Sequence, residues 1–154
     1  MNMYALTLIL AFGLNCKGVS GSKPGRIAGD LSLQSNVKIS MHVPRGLEGK
    51  KLRVQIGGLT AEKPPEVLFE LSLRCVSSKT AHRLGYINFF NAVGKVGREP
   101  TFTFDLPDLV RISCPLANLY LAIEPQGVVA PDSFPHVKYV NLLPDSDITS
   151  APRD

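Results

Sequence analysis

The sequence predicts an all-β protein, an antiparallel β-sandwich of about seven strands with one short helical turn. Three observations lead to this prediction. Short segments alternate apolar and polar residues with a period of two, which is typical of half-buried strands. Turn residues separate these segments, with 13 Gly and 12 Pro in the chain, a pattern that favours sandwiches. No long segment has helical periodicity, and the length of 154 residues suits one domain.

The clearest alternation lies at residues 67–75, where Val67 and every second residue up to Cys75 are apolar. The other strands are expected at residues 37–43, 52–56, 84–90, 101–104, 119–123 and 137–143. Loops are expected at residues 77–83 and 91–100. Asp105 is expected to cap the helical turn that follows it, because a carboxylate can accept hydrogen bonds from the unpaired N–H groups of a first turn.

The chain is expected to divide into four parts. Residues 1–20 are interpreted as a signal peptide, 21–30 as a linker, 31–143 as the β-sandwich domain and 144–154 as a flexible tail. The apolar run at 4–14 has the length of a signal-peptide core and is short for a membrane span. No Lys or Arg precedes it, so a buried first strand or helix is the alternative. The first interpretation implies a secreted or exported protein without stable membrane insertion after processing, and the second leaves a cytoplasmic protein open.

Charge does not indicate a nucleic-acid site. The net charge is +4, but the basic residues are scattered. The densest group, Lys50, Lys51 and Arg53, has no aromatic residue beside it on which a base could stack. A solvated polar face is the favoured interpretation of this group.

Three cysteines, Cys16, Cys75 and Cys114, leave two alternatives. If Cys16 is removed with a signal peptide, Cys75 and Cys114 could form a disulfide in an exported protein. Two buried free thiols are the other alternative, and the sequence does not choose between them. Neither cysteine has a nearby histidine, which argues against a blue-copper site.

No catalytic, cofactor-binding or metal-binding residue is predicted. His42, His82 and His136 lie on three separate segments, without the spacing of metal ligands. Surface histidines are the favoured interpretation, and a small metal-dependent enzyme would require all three to converge. Ser77 and Ser78 precede His82 but lack a nucleophile elbow, and the glycines do not form a phosphate-binding loop.

The strand motifs, taken in order, resemble the C-terminal β-domain of the tyrosinase and polyphenol oxidase family over about residues 31–143. That domain's "YvGtlnfFG" is similar to the segment Leu-Gly-Tyr-Ile-Asn-Phe-Phe at 84–90. Its "ftFDVTdLl" is similar to residues 102–109, although Pro107 replaces the expected Thr. The Pro-containing loop at 64–65 between two strands, and the closing segment 119–143 with Glu124-Pro125-Gln126-Gly127, also match the family pattern.

The resemblance implies a non-catalytic accessory or shielding module. In the family, the oxidase activity belongs to a separate helical domain that holds two coppers through six histidines, and this chain has three histidines. The expected partner is therefore a type-3 copper oxidase domain, engaged in trans or in a longer protein, through an apolar patch near Tyr86 and Phe90. The alternative is an independent secreted β-sandwich that binds a protein or a carbohydrate.

Overall fold

The computed structural model describes residues 25–79, 81–94 and 99–145. These residues form eight strands and two short 3-10 helices. In chain order the strands are β1 (Arg26–Ser32), β2 (Val37–Ser40), β3 (Leu52–Thr60), β4 (Phe69–Cys75), β5 (Ala81–Ile87), β6 (Thr101–Asp105), β7 (Leu119–Pro125) and β8 (His136–Pro144). The helices, η1 (Leu109–Arg111) and η2 (Leu116–Asn118), lie between β6 and β7.

The strands form two four-stranded antiparallel sheets, with orders β1-β8-β3-β6 and β2-β7-β4-β5. Four of the pairs are β1 with β8, β2 with β7, β3 with β6 and β4 with β5, so the chain pairs like one long hairpin folded into two layers. This pairing is the jelly-roll arrangement. The prediction of an all-β antiparallel sandwich is confirmed.

One hydrophobic core joins the sheets. The apolar faces of β3 and β8 supply Val54, Ile56 and Val140, and those of β4 and β7 supply Leu71 and Leu121, all fully buried. These residues follow the period-two alternation, since side chains at every second position of a strand point to the same side of a sheet.

Strands at the margins of the two layers also meet. A Cβ atom at Gly85 of β5 would lie 2.6 Å from Cε1 of Phe104 of β6. Glycine is therefore the residue that lets these two strands come this close without displacing the phenylalanine ring.

The registers place the connections between strands at two opposite ends. The loops β1–β2, β3–β4, β5–β6 and β7–β8 lie at one end, and the loops β2–β3, β4–β5 and β6–β7 lie at the other. We call the first the apolar end, defined by residues 61–68, 88–94 and 126–135. We call the second the disulfide end, defined by residues 41–51, 76–79 and 106–118.

Several strand boundaries correct the sequence predictions: β2 ends at Ser40 rather than at residue 43, β3 continues to Thr60 rather than ending at residue 56, and β4 begins at Phe69 rather than at residue 67. Strand β1 occupies residues 26–30 of the expected linker and raises the number of strands to eight. Strand β5 begins at Ala81, inside the expected loop 77–83, and ends at Ile87 rather than at residue 90. Both are edge strands with one partner each. Backbone hydrogen bonds to that partner form the strand, and a regular apolar face is not required.

The ends of the predicted domain also need correction. Pro144 belongs to β8, and Asp145 still donates its backbone N–H to the Lys51 carbonyl at 3.0 Å. The expected signal peptide and the rest of the expected tail lie outside the described residues. No helix in the described ranges is long and apolar enough to cross a membrane.

Candidate functional site

The apolar end carries large apolar side chains that the core does not cover. Four of them lie on the three loops of this end: Leu68 is 42% exposed, Phe90 81%, Val128 91% and Phe134 55%. Single exposed apolar residues are ordinary on protein surfaces, whereas several on adjacent loops indicate an interaction surface. The loops therefore form a candidate binding surface.

Backbone hydrogen bonds hold two of these loops together. The N–H of Glu62 donates to the Ser133 carbonyl at 2.8 Å, and the N–H of Gln126 donates to the Leu68 carbonyl at 2.8 Å. Ser133 is fully buried, and its Oγ donates to the Ala130 carbonyl at 2.6 Å. These hydrogen bonds satisfy backbone and hydroxyl groups inside the loops.

The third loop joins the other two through a β-bridge between Ala61 and Val93. Phe89 anchors this loop in the core, where its ring meets Phe69 edge-on with ring centroids 5.3 Å apart. Phe90 follows directly and turns outward, to line a groove of about 320 Å³ together with Pro64 and Leu68. The groove places a phenyl ring beside a rigid, proline-containing loop.

Two non-glycine residues of the apolar end adopt the left-handed backbone conformation. Glu66 has φ 63° and Phe134 has φ 45°. This conformation is unfavourable for residues with a Cβ, and non-glycine residues in it are found disproportionately at binding and catalytic sites. At Phe134 it occurs in one of the exposed apolar residues.

The charged groups of this end lie around the apolar side chains. Lys63 donates a hydrogen bond to Asp132 across the two paired loops. This contact lowers the pKa of the Asp132 carboxyl below its ordinary value of 3.8 and raises the pKa of the Lys63 ammonium above 10.5. Both side chains are well exposed, so the pair forms part of a solvated rim.

The two predicted interface residues lie on different elements. Phe90 belongs to the apolar end, and Tyr86, which is 40% exposed, is the penultimate residue of β5. There Arg83 donates to the Tyr86 hydroxyl at 2.9 Å, and its guanidinium lies 5.6 Å from the centre of the ring. Sequence reasoning missed Leu68, Val128 and Phe134. The available indication for Leu68 was that this apolar residue lies on the otherwise polar face of the predicted strand 67–75.

Asp105 does not have its predicted role. It is the last residue of β6, and η1 begins four residues later, at Leu109. Its Oδ1 accepts a hydrogen bond from Nε of Arg53 at 2.6 Å. The prediction of a helix cap was wrong because Asp105 belongs to β6 and its carboxylate pairs with an arginine on the neighbouring strand β3.

Cys75 and Cys114 form a disulfide, with their Cα atoms 6.1 Å apart. The bond joins the end of β4 to the segment 106–118, which contains both 3-10 helices. Of the two alternatives left by the sequence, the structure therefore shows the paired one. The disulfide also lines a cavity of about 550 Å³ at the disulfide end.

The three histidines do not converge. His42 follows β2 at the disulfide end, and His82 pairs in register with Leu73 near the same end. His136 pairs with Thr60 at the opposite end. Within the described ranges, no group of three His, Cys, Asp or Glu residues is arranged to hold a metal ion.

Comparison with known proteins adds no relative. No protein-family model, curated protein or solved structure matches this chain. The resemblance to the tyrosinase C-terminal domain therefore stays a prediction based on the strand motifs.

Proposed function

We propose that the protein is a non-catalytic β-sandwich module that binds a partner protein through its apolar end. The observation that carries the proposal is the grouping of Leu68, Phe90, Val128 and Phe134 on three connected loops. Aromatic and large aliphatic side chains near the centre of an interface contribute most of the binding energy. A rim that includes the pair Lys63–Asp132 is the expected surrounding of such a centre.

A protein surface fits this end better than a carbohydrate. The four large exposed side chains of this patch are hydrocarbon only, and Glu66 and Asn88 are the polar residues in the otherwise apolar lining of the groove at Phe90. Tyr86, which has a hydroxyl, lies on β5 outside the groove at Phe90 and is engaged by Arg83. The carbohydrate alternative therefore has less support.

A type-3 copper oxidase domain is the partner that the sequence resemblance implies. In that case the apolar end would lie against the oxidase domain as a shielding surface, supplied in trans or within a longer chain. A partner of another class would leave the module as an independent secreted binding protein.

The test is affinity capture with a double variant at the apolar end and a single control variant at the disulfide end. Phe90→Ser combined with Val128→Ser removes two exposed apolar groups of the apolar end, and Val76→Ser removes one that is 73% exposed at the disulfide end. Each protein is used to capture partners from extracts of its own cells, and copper is assayed in the eluate. We expect the double variant to lose tenfold or more of the partner recovered by the wild type.

Val76→Ser should retain the partner at the wild-type level. Equal recovery by the double variant, or equal loss in Val76→Ser, would overturn the proposal. Copper in stoichiometric amount in the wild-type eluate would identify an oxidase partner. Its absence from an otherwise specific complex would contradict the copper oxidase prediction while leaving the binding surface intact.

A further inference from the structure

A second candidate binding site lies at the disulfide end, away from the surface proposed above. It is a groove of about 470 Å³ between the loop 41–51 and the segment 106–118, a volume within the range of small-molecule sites. Its apolar lining is aliphatic: Val43, Leu47, Leu52, Leu109 and Leu116. Leu116 is 47% exposed, so a bound hydrocarbon chain would cover apolar surface that now faces water.

Charged residues of the groove are mostly engaged by the protein itself. The Oε2 atom of Glu48 accepts a hydrogen bond from the Gly46 N–H at 2.6 Å. Asp108 pairs with Arg111 at 3.3 Å, and Lys51 pairs with Asp145 at 3.4 Å. These three charges are thus balanced or hydrogen-bonded without any ligand.

Lys50 differs from them. It lines the same groove, its side chain is exposed, and no carboxylate in the described ranges forms an ion pair with it. Its backbone N–H donates to the Leu47 carbonyl at 3.3 Å, which ties this position to the aliphatic wall. Among the residues that the structure describes, Lys50 is therefore a cation without a carboxylate partner beside a hydrocarbon lining.

We propose that this groove binds an amphiphile with one carboxylate and an aliphatic chain, as in a medium-chain fatty acid. The carboxylate pairs with the Lys50 ammonium, and the chain lies against the five aliphatic residues. A phosphate would carry close to two negative charges at neutral pH. The carboxylates of Glu48 and Asp108 in the same lining repel a dianion about twice as strongly as a monoanion, which favours a monoanion over a phosphate.

The test uses decanoate and two analogues with the same chain, the neutral decanol and the dianionic decyl phosphate. Binding to the full chain is followed by calorimetry and by the shifts of backbone amide resonances at the groove. We expect saturable decanoate binding, with shifts at Leu47 and Leu116 and none at Phe90. Decanol should bind about two- to fivefold more weakly, as expected for the loss of one exposed ion pair, and decyl phosphate should not surpass decanoate.

Two lysine variants separate the site from general charge. Lys50→Gln should weaken decanoate binding about two- to fivefold and leave decanol binding unchanged. Lys79→Gln is the matched control, because Lys79 is an exposed lysine at the same end that does not line the groove. Both substitutions lie on the exposed surface and should leave the fold intact.

Leu116→Ser provides a test of the hydrocarbon wall. It should weaken decanoate and decanol by the same factor, because it changes the apolar lining and leaves the charge in place. The absence of saturable decanoate binding in the wild type would overturn the proposal. So would equal losses in Lys50→Gln and Lys79→Gln, or decanol binding as tight as decanoate.

Discussion

The two ends of the sandwich are stabilised in different ways. At the apolar end, backbone hydrogen bonds such as that from Glu62 to Ser133 join the loops, and large apolar side chains remain outside. At the disulfide end, the bond between Cys75 and Cys114 attaches the connection 106–118 to the end of β4. The comparison suggests that one end presents a preformed surface, whereas the other depends on a covalent link for its shape.

The difference follows from what each loop can pair with. The connections at the apolar end run close enough to exchange backbone hydrogen bonds, as from Ala130 to Pro65 at 3.2 Å. In the segment 106–118, most backbone hydrogen bonds among the described residues are local, such as that from Arg111 to Asp108 at 3.0 Å. Such local turns do not fix a segment against the sheet, so the disulfide supplies that restraint.

The largest effect is expected from removing the disulfide. Replacing Cys75 and Cys114 together by Ser should lower the free energy of unfolding by about 2–5 kcal/mol, because the unfolded chain regains the entropy of an open loop. Urea denaturation measures this change. Hydrogen exchange should show lost protection in residues 106–118, with the apolar end less affected.

A reductant provides the control, because it opens the same bond without a substitution. It should bring the wild type to the level of the double variant and leave the double variant unchanged. If reduction leaves the wild type as stable as before, or if protection falls equally at both ends, the contrast drawn above is wrong.

A smaller effect is expected from the backbone strain at the apolar end. Glu66→Gly should raise the free energy of unfolding by about 0.5–1 kcal/mol, because glycine adopts a positive φ without a Cβ penalty. Thermal and urea denaturation measure the change. Glu62→Gly, in the same loop but without a positive φ, should instead lower stability by about 0.5–1 kcal/mol. Two changes of the same sign would show that Glu66 is not strained.

The smallest effect is expected from the exposed pair Lys63–Asp132. The lowered pKa of Asp132 contributes stability above about pH 4, which is lost as the pH falls through the folded-state pKa. The raised pKa of Lys63 contributes stability at pH values below the ordinary pKa of 10.5. This stability is lost as the pH rises through the folded-state pKa. Because both groups are exposed, salt should weaken the interaction.

Carbon-detected NMR titration of the Asp132 carboxyl tests this pair. The midpoint should lie below 3.8 in the wild type and return toward that value in Lys63→Met. A wild-type midpoint at 3.8, with no response to the Lys63 substitution, would remove this contact from the description of the apolar end.

How far the sequence predicted the fold can be seen strand by strand. Strands β3, β4 and β7 are central in their sheets and have one buried face, so alternation located them. Strand β1 and the first part of β5 lie at sheet edges and were missed, because pairing with one neighbour does not require an apolar face. Asp105 was misassigned because the sequence does not show that Arg53 lies opposite it.

The candidate site was harder to predict than the fold. Phe90 was identified from the sequence as a possible interface residue, but Leu68, Val128 and Phe134 were not. Leu68 lies on one loop and Val128 and Phe134 lie on another, and long-range backbone contacts such as that from Gln126 to Leu68 join the two loops. The groove beside Lys50 was likewise hidden, because Leu109 and Leu116 reach it from a distant part of the chain.

The sequence by itself determined the all-β class and the buried faces of the central strands, because the period of two is a local property of the backbone. It also determined which two cysteines would remain if Cys16 were removed. The tertiary structure decided the jelly-roll pairing, the union of Cys75 with Cys114 and the separation of the ends into an apolar surface and a disulfide-bound groove. Each of these depends on contacts between residues far apart in the chain, which local periodicity does not encode.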